Sequence, residues 1–449
     1  MSKDKFPDRL HPVKVDGRPA DFETLLLHAG TAPDPTTGAR QFPIYQTTSY
    51  VFESAEHAAT LFNLQAPGFI YSRLTNPTVS ALEERLAALE GGRGATVCAS
   101  GHAAQMLAFL PLMKSGDSFI ASQRLYGGSI TQFGVTFKKF GWNCVFVDTN
   151  DLVAVKAAIG PTTKAIFCES LANPGGIISD IAGLAKIAHE AQIPLIVDNT
   201  LATPYLCRPI EHGADIVIHS TTKFLSGHGQ AVGGVMIDSG HFDWTKSGKF
   251  PGLAGPDPAY HGLNFHETFG DLALTVHGHA IGLRDLGASA SPTNAWLTLL
   301  GTETLAVRMD RHITNAQAVA EFLSTHSKVS WVSYAGLPDN AFHKLAKHYL
   351  PKGAGSVFTF GIKGGYAAGL KMVESCELIS HLANVGDTRT LILHPASTTH
   401  RQLSPEQRTA AGAGDDVVRL SIGLESIEDI ISDLDQALSR SAVATKAAE

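Results

Sequence analysis

The chain has 449 residues, 44% of them hydrophobic and 17% charged, with a formal net charge of −7. This composition permits a large core, excludes global disorder, and argues against a surface built to grip nucleic acid or an anionic membrane. The five cysteines (Cys98, Cys144, Cys168, Cys207 and Cys376) are widely spaced and form no Cys-x-x-Cys pair, so neither a disulfide framework nor a zinc site is expected. Residues 1–21 lack the apolar centre of a secretory signal, and no run reaches the ~18 apolar residues of a membrane helix. A reducing cytoplasm is the expected location.

Residues 1–60 show little periodicity and many turn formers, which predicts an extended arm. From Thr78, a candidate helix cap, Leu82, Leu86 and Leu89 share one helical face, and Gly91-Gly92 can end that helix. Short apolar runs follow at 95–98, 118–121, 143–147, 164–168, 194–197, 215–219 and 231–237, with helical stretches such as 180–192 between some of them. Buried strands alternating with helices predict an α/β fold around a mostly parallel sheet covered on both faces. Residues 240–285 lose their period and are expected to form a long loop or excursion. A second unit begins near 290, with one long helix over 302–324, strands near 329–333, 356–362 and 390–393, and a last amphipathic helix over 426–438. Residues 439–449 are expected to fray.

Ligands of such sheets bind at the carboxyl ends of the strands, so residues there deserve chemical scrutiny. Lys223 follows the strand at 215–218 among hydroxyls, in His219-Ser-Thr-Thr-Lys223, which suits a Schiff-base amine. Asp198 closes an aliphatic strand one crossover earlier and can pair with a pyridinium nitrogen. A lone lysine in a Ser/Thr turn or a lone strand-end aspartate is usually uninformative; the combination points to pyridoxal phosphate. Ser100, Gly101 and His102 stand between a strand and an apolar helix, where backbone N–H groups make an anion site, and Ser220 and Thr222 can add hydroxyls. Tyr126, before two glycines, is placed to stack on a planar ring. The glycines at 227–233 have the wrong spacing for a dinucleotide loop, Gly248-Lys249 lacks the rest of a P-loop, and His266-Glu267 lacks the second histidine of a zinc protease. His277 and His279 are expected as polar helix or loop groups rather than metal ligands.

The stretches His28-Ala-Gly-Thr31, Pro43-Ile-Tyr-Gln-Thr-Thr-Ser-Tyr-Val-Phe52, Tyr71-Ser-Arg73-Leu-Thr-Asn-Pro-Thr78, Val197-Asp-Asn-Thr200, His219-Ser-Thr-Thr-Lys223 and Arg419-Leu-Ser-Ile-Gly-Leu-Glu425 occur in the order of one family's hallmarks. On these the chain resembles the Cys/Met-metabolism family of pyridoxal-phosphate enzymes. The resemblance implies the aspartate-aminotransferase-like fold type I. An arm over 1–60 would contact a neighbouring subunit, a cofactor-binding domain would span 61–288, and a smaller C-terminal α/β domain would span 289–449. It implies that Lys223 forms the Schiff base and then moves protons, Asp198 pairs with the ring nitrogen and Tyr126 stacks on the ring. Ser100, Gly101, His102, Ser220 and Thr222 would hold the phosphate, joined by Tyr71 and Arg73 from the neighbouring subunit. Arg419, assisted by Asn173, would clamp the substrate carboxylate. His102 and Phe224 replace residues common in relatives, and neither change is expected to matter.

Gly128 in place of the cysteine of methionine lyases, the segment 384–400 and the excursion containing Phe265-His-Glu-Thr-Phe-Gly270 are similar to the family's sulfhydrylase group. That similarity implies replacement of the acetate of O-acetylhomoserine by sulfide or methanethiol, in a homotetramer built of dimers with shared sites. Methionine γ-lyase, cystathionine γ-lyase and cystathionine γ-synthase remain alternatives inside the family. A cofactor-free aldolase using Lys223 is the rival outside it.

Overall fold

Seven strands form the central sheet: β1 (Gly94–Cys98), β2 (Ser118–Ser122), β3 (Asn143–Val147), β4 (Thr163–Glu169), β5 (Leu195–Asp198), β6 (Ile216–His219) and β7 (Gly234–Asp238). Their order is β1-β7-β6-β5-β4-β2-β3, and only β7 runs antiparallel to its neighbours. All strand positions of β1, β4, β6 and β7 are buried, which explains why these runs read as continuous apolar text. This is a computed structural model, and it describes residues 13–441 except 174, 175, 400, 402, 403, 405, 407 and 409–411. The expectations for residues 1–12 and 442–449 lie outside the described residues.

Helix α1 (Pro77–Glu90) buries Leu82, Leu86 and Leu89 and stops at Gly91, whose φ of 74° favours glycine. Its cap differs from the one expected. Asn76, not Thr78, accepts the N–H of Thr78 at 2.9 Å, with Pro77 in the first turn, where its missing N–H is harmless. Thr78 instead uses its hydroxyl to accept from the Tyr45 N–H and donate to the Pro43 carbonyl, anchoring the preceding arm. That arm is more structured than expected, with helices at Phe22–His28 and Ala55–Phe62 and a short hairpin at 14–19. Helix α2 (Gly101–Phe109) and helix α3 (Ile181–Glu190) follow β1 and β4. On one side of the sheet Phe109 of α2 meets Phe119 of β2 at 4.3 Å between centroids, and Phe133 meets Phe167 of β4 at 4.9 Å, an interlocked aromatic core.

Residues 240–285 are not a long loop. They contain helical segments at Pro251–Ala254, Phe265–Phe269, Ala273–His277, Gly278–Leu283 and Arg284–Leu286. Their glycines serve close packing: a Cβ at Gly278 would meet the Thr96 hydroxyl at 2.5 Å, and one at Gly282 would meet Leu107 at 2.4 Å. His277 is buried there, its pKa pushed down to about 4 by desolvation, and His279 bonds Glu83 at 2.8 Å. Among the described residues no group of side chains is arranged to hold a metal ion.

The long helix expected over 302–324 is α5 (Leu305–Thr325), preceded by α4 (Pro292–Glu303), which ends at Thr304. A second sheet contains β8 (Val329–Ser333), β9 (Val357–Ile362), β10 (Ser380–His381), β11 (Leu391–Leu393) and β12 (Val417–Ser421), in the order β8-β9-β12-β11-β10. Only β10 and β11 pair in parallel. Helix α6 (Ile427–Arg440) packs its apolar face below it. All five cysteines are free, with Cys98, Cys168 and Cys207 buried. No helix among the described residues is long and apolar enough to cross a membrane.

Candidate active site

The carboxyl ends of β4, β5 and β6 lie side by side, that of β1 opens on the same edge beyond β7, and the candidate residues follow these strands. Asp198 ends β5 in register with Glu169, the last residue of β4. Burial raises the Asp198 pKa, opposed mainly by hydrogen bonds from Thr200, whose N–H reaches Oδ1 at 3.0 Å. No lysine or arginine among the described residues pairs with Asp198, so its charge awaits a cationic partner. His219, by contrast, is a core residue. It turns away to bond Glu90 at 2.6 Å in a buried network with Asn199.

Lys223 lies in the turn after β6, and its Nζ donates to Asn384 Oδ1 at 2.5 Å. Desolvation, aided by the nearby Arg419 cation, pushes its pKa down to about 8. Asn384 comes from the second unit, and a glycine makes its approach possible. A Cβ at Gly386 would sit 2.8 Å from the Phe224 nitrogen and 3.0 Å from Lys223 Cβ. Arg419, on β12, donates from Nη1 to Asn173 Oδ1 at 3.3 Å and from Nη2 to the Asn384 carbonyl at 3.2 Å. Burial lowers its pKa to about 10. No carboxylate pairs with it among the described residues. A desolvated guanidinium with only neutral acceptors is suited to receive one from a ligand.

Ser100 caps α2, its Oγ accepting the Ala103 N–H at 3.2 Å. Gly101 brings the start of that helix against Ser220: a Cβ at Gly101 would lie 2.9 Å from Ser220 Cβ. The N–H groups of Gly101 and His102 and the hydroxyls of Ser220 and Thr222 thereby surround a helix N-terminus, although Thr222 Oγ1 also accepts the Gly233 N–H at 3.1 Å. Such a cradle fits a phosphate. Tyr126 is half exposed, with its ring 5.8 Å from that of His102. A side chain at Gly128 would meet Tyr126 Cε1 at 2.4 Å and the His102 ring at 2.8 Å. The His102 ring lines this side of the site. Phe224 does not: it is buried edge-on to His312 with centroids 5.2 Å apart.

Tyr71 and Arg73 make their contacts elsewhere. Arg73 lies 5.5 Å from the Tyr71 ring centroid and donates to the Arg284 carbonyl, while Tyr71 bridges Ser49. Among the described residues no hydrogen bond or ring contact links them to the Lys223 group. Two further residues were missed in the sequence. Glu169 accepts the Tyr126 N–H at 2.6 Å and the Asn173 N–H at 3.0 Å. It closes an apolar strand just as Asp198 does, and that signal could have found it. Asn384 carried no comparable local signal.

A desolvated lysine amine, an anion cradle at a helix start and a buried strand-end carboxylate at one edge of the central sheet suit a phosphorylated aldehyde with a basic ring nitrogen. The chain belongs to the Cys/Met metabolism PLP-dependent enzyme family, whose model matches residues 23–439, and its cofactor is pyridoxal 5′-phosphate. More particularly, it is 48% identical to the O-acetyl-L-homoserine sulfhydrylase of Leptospira meyeri, covering 94% of this chain and 98% of the relative. It is 49% identical to the homocysteine synthase of Schizosaccharomyces pombe over 93% and 98% of the two chains. A solved structure from Campylobacter jejuni, named as an O-acetylhomoserine (thiol)-lyase and carrying a pyridoxyl-lysine monophosphate, superposes with a TM-score of 0.91 at 43% identity, covering 94% of this chain and all of that one.

Proposed function

We propose that this chain replaces the acetate of O-acetyl-L-homoserine with sulfide or methanethiol, yielding L-homocysteine or L-methionine. The observation that carries the reading is Arg419, a desolvated cation lacking a carboxylate partner, set one asparagine away from Lys223. An α-amino acid whose carboxylate occupies Arg419 presents its amino group and Cα toward that amine. The names of the relatives at 48–49% identity support the choice of substrate. When bound, pyridoxal phosphate supplies the electron sink that makes the amino acid's Cα and Cβ protons labile, so that a group on Cγ can leave.

The chain's own residues do the rest. Gly101 and His102 N–H groups with Ser220 and Thr222 hydroxyls hold the phosphate, Ser100 fixes the helix start, and Asp198 keeps a proton on the ring nitrogen. Tyr126 covers the ring face. The Lys223 amine, with its pKa near neutrality, takes a proton from carbon and returns it, as a general base and acid should. Arg419 and Asn173 orient the carboxylate. Gly128 leaves room for Tyr126 and His102 where a larger residue would displace both.

In this reading the large sheet belongs to a cofactor domain over 61–288 and the second sheet to a domain over 289–449. The enzyme is cytoplasmic and forms homotetramers built of dimers. In each dimer the arm over 1–60 contacts the neighbour, and Tyr71 and Arg73 complete the neighbour's phosphate site. The deciding experiment supplies O-acetylhomoserine with sulfide, and separately methionine or cystathionine alone, and identifies products by mass spectrometry. Homocysteine in the first reaction and no α-keto acid from the others is expected. The reverse pattern would make the chain a γ-lyase.

A further inference from the structure

Glu169 holds together parts of the site that come from different loops. It stands at the end of β4 beside Asp198 of β5, buried and without a cationic partner among the described residues. One carboxylate oxygen accepts the N–H of Tyr126, in the loop after β2, and the other accepts the N–H of Asn173, in the loop after β4. Asn173 in turn accepts from Arg419 of the second sheet. A single side chain therefore fixes the backbone of the ring-covering tyrosine and the backbone of the residue that steadies the guanidinium. Burial, and next the neighbouring Asp198, pushes its pKa up to about 8 against these two bonds. A carboxyl kept at such a position without a counter-ion is costly to bury for packing alone.

We propose that Glu169 is a positioning residue for amino-acid substrate, setting Tyr126 and the Asn173–Arg419 pair in place while leaving attachment of the cofactor to Lys223 unaffected. The inference rests on the proposed roles of those three residues. It separates two properties usually lost together, since Lys223 and the phosphate cradle lie on segments that the Glu169 side chain does not touch through a hydrogen bond, and of the proposed cofactor contacts only Tyr126 depends on it.

The test is Glu169→Gln in the full-length holoenzyme. Glutamine keeps the shape but turns an NH2 group toward one of the two N–H donors, so one bond is lost. The expected results are full retention of the Lys223-bound cofactor through dialysis and a KM for O-acetylhomoserine raised about tenfold or more, with kcat altered less. Amide hydrogen exchange at Tyr126 and Asn173 should also quicken. A KM within twofold of wild type together with unchanged exchange at both amides would overturn the proposal, even if thermal stability fell, because a purely structural acid predicts that pattern. If the glutamine variant does not fold, Glu169→Asp, which keeps the charge but is one methylene shorter, is read by the same two measurements against the same outcomes. Loss of the absorption band or of turnover in the wild type would instead count against the proposed function, while the amide exchange would still report on Glu169.

Discussion

The two sheets contribute to the site in opposite ways. The central sheet brings acids: Asp198 and Glu169, neighbours in register, both with raised pKa values because burial disfavours their charge. The second unit brings Arg419 and Asn384 to the side where Lys223 lies, and there the two cations have lowered pKa values because burial disfavours theirs. Neither set neutralises the other within the chain. The difference fits the proposed function, in which the acids would meet a cationic ring and the cations a substrate carboxylate. Electrostatic stress of this kind is a common mark of functional sites.

The comparison can be broken most severely at Lys223. Lys223→Ala should abolish the covalently bound chromophore and lower turnover on the order of 10⁴-fold or more, checked by absorbance and steady-state rates. Retained rapid turnover would show that the amine is not central. On the opposite face, Arg419→Ala removes the receptor for the carboxylate, so the KM for O-acetylhomoserine should rise roughly ten- to a hundredfold, more than kcat falls. An unchanged KM would remove the clamp from the scheme.

A third prediction sharpens the electrostatics. Only the unprotonated amine attacks an aldehyde, and Lys223 loses its proton near pH 8 instead of the usual 10.5. The rate at which apoprotein captures added pyridoxal phosphate should therefore climb with pH and level off above about 8. A rate still climbing at about pH 10 would mean the lysine is not desolvated. The smallest effect is expected away from the site. Asp151→Ala deletes the exposed side-chain cap of the helix Leu152–Ala158, which accepts the Val153 and Ala154 N–H groups at 3.0 Å, and should cost about 1 kcal/mol, visible as a lower denaturant midpoint with catalysis unaltered.

Much of this was legible from residues alone, for identifiable reasons. Most strands of the central sheet are short apolar runs buried on both faces, so 95–98, 118–121 and 194–197 coincide with strands to within a residue or two, as does the more exposed edge strand at 143–147. Lys223 and Asp198 stood out because each breaks such a run at its carboxyl end. Glu169 breaks one in the same manner, but the expected strand was ended at Cys168, one residue early. Asn384 could not be found locally. Its nearness to Lys223 depends on two backbones meeting at Gly386, 163 residues from the lysine in sequence, and no periodicity encodes such a meeting. The helices between 251 and 286 were hidden because glycines that serve tight packing, Gly278 and Gly282, look like those of a loop. The start of the long helix was placed at 302, three residues before Leu305, because no proline or glycine marks Thr304 as a boundary.

The five unpaired cysteines carry a consequence for an enzyme that handles sulfide. Burial pushes the thiols of Cys98, Cys168 and Cys376 up to about 12, and those of Cys144 and Cys207 upward as well. The reactive form of a thiol is its anion, so all five remain protonated and inert at neutral pH. Disulfides, polysulfides and peroxide, the oxidised species that attack thiolates, therefore find no anion to react with, and the thiols of this protein are insulated from oxidised forms of its co-substrate.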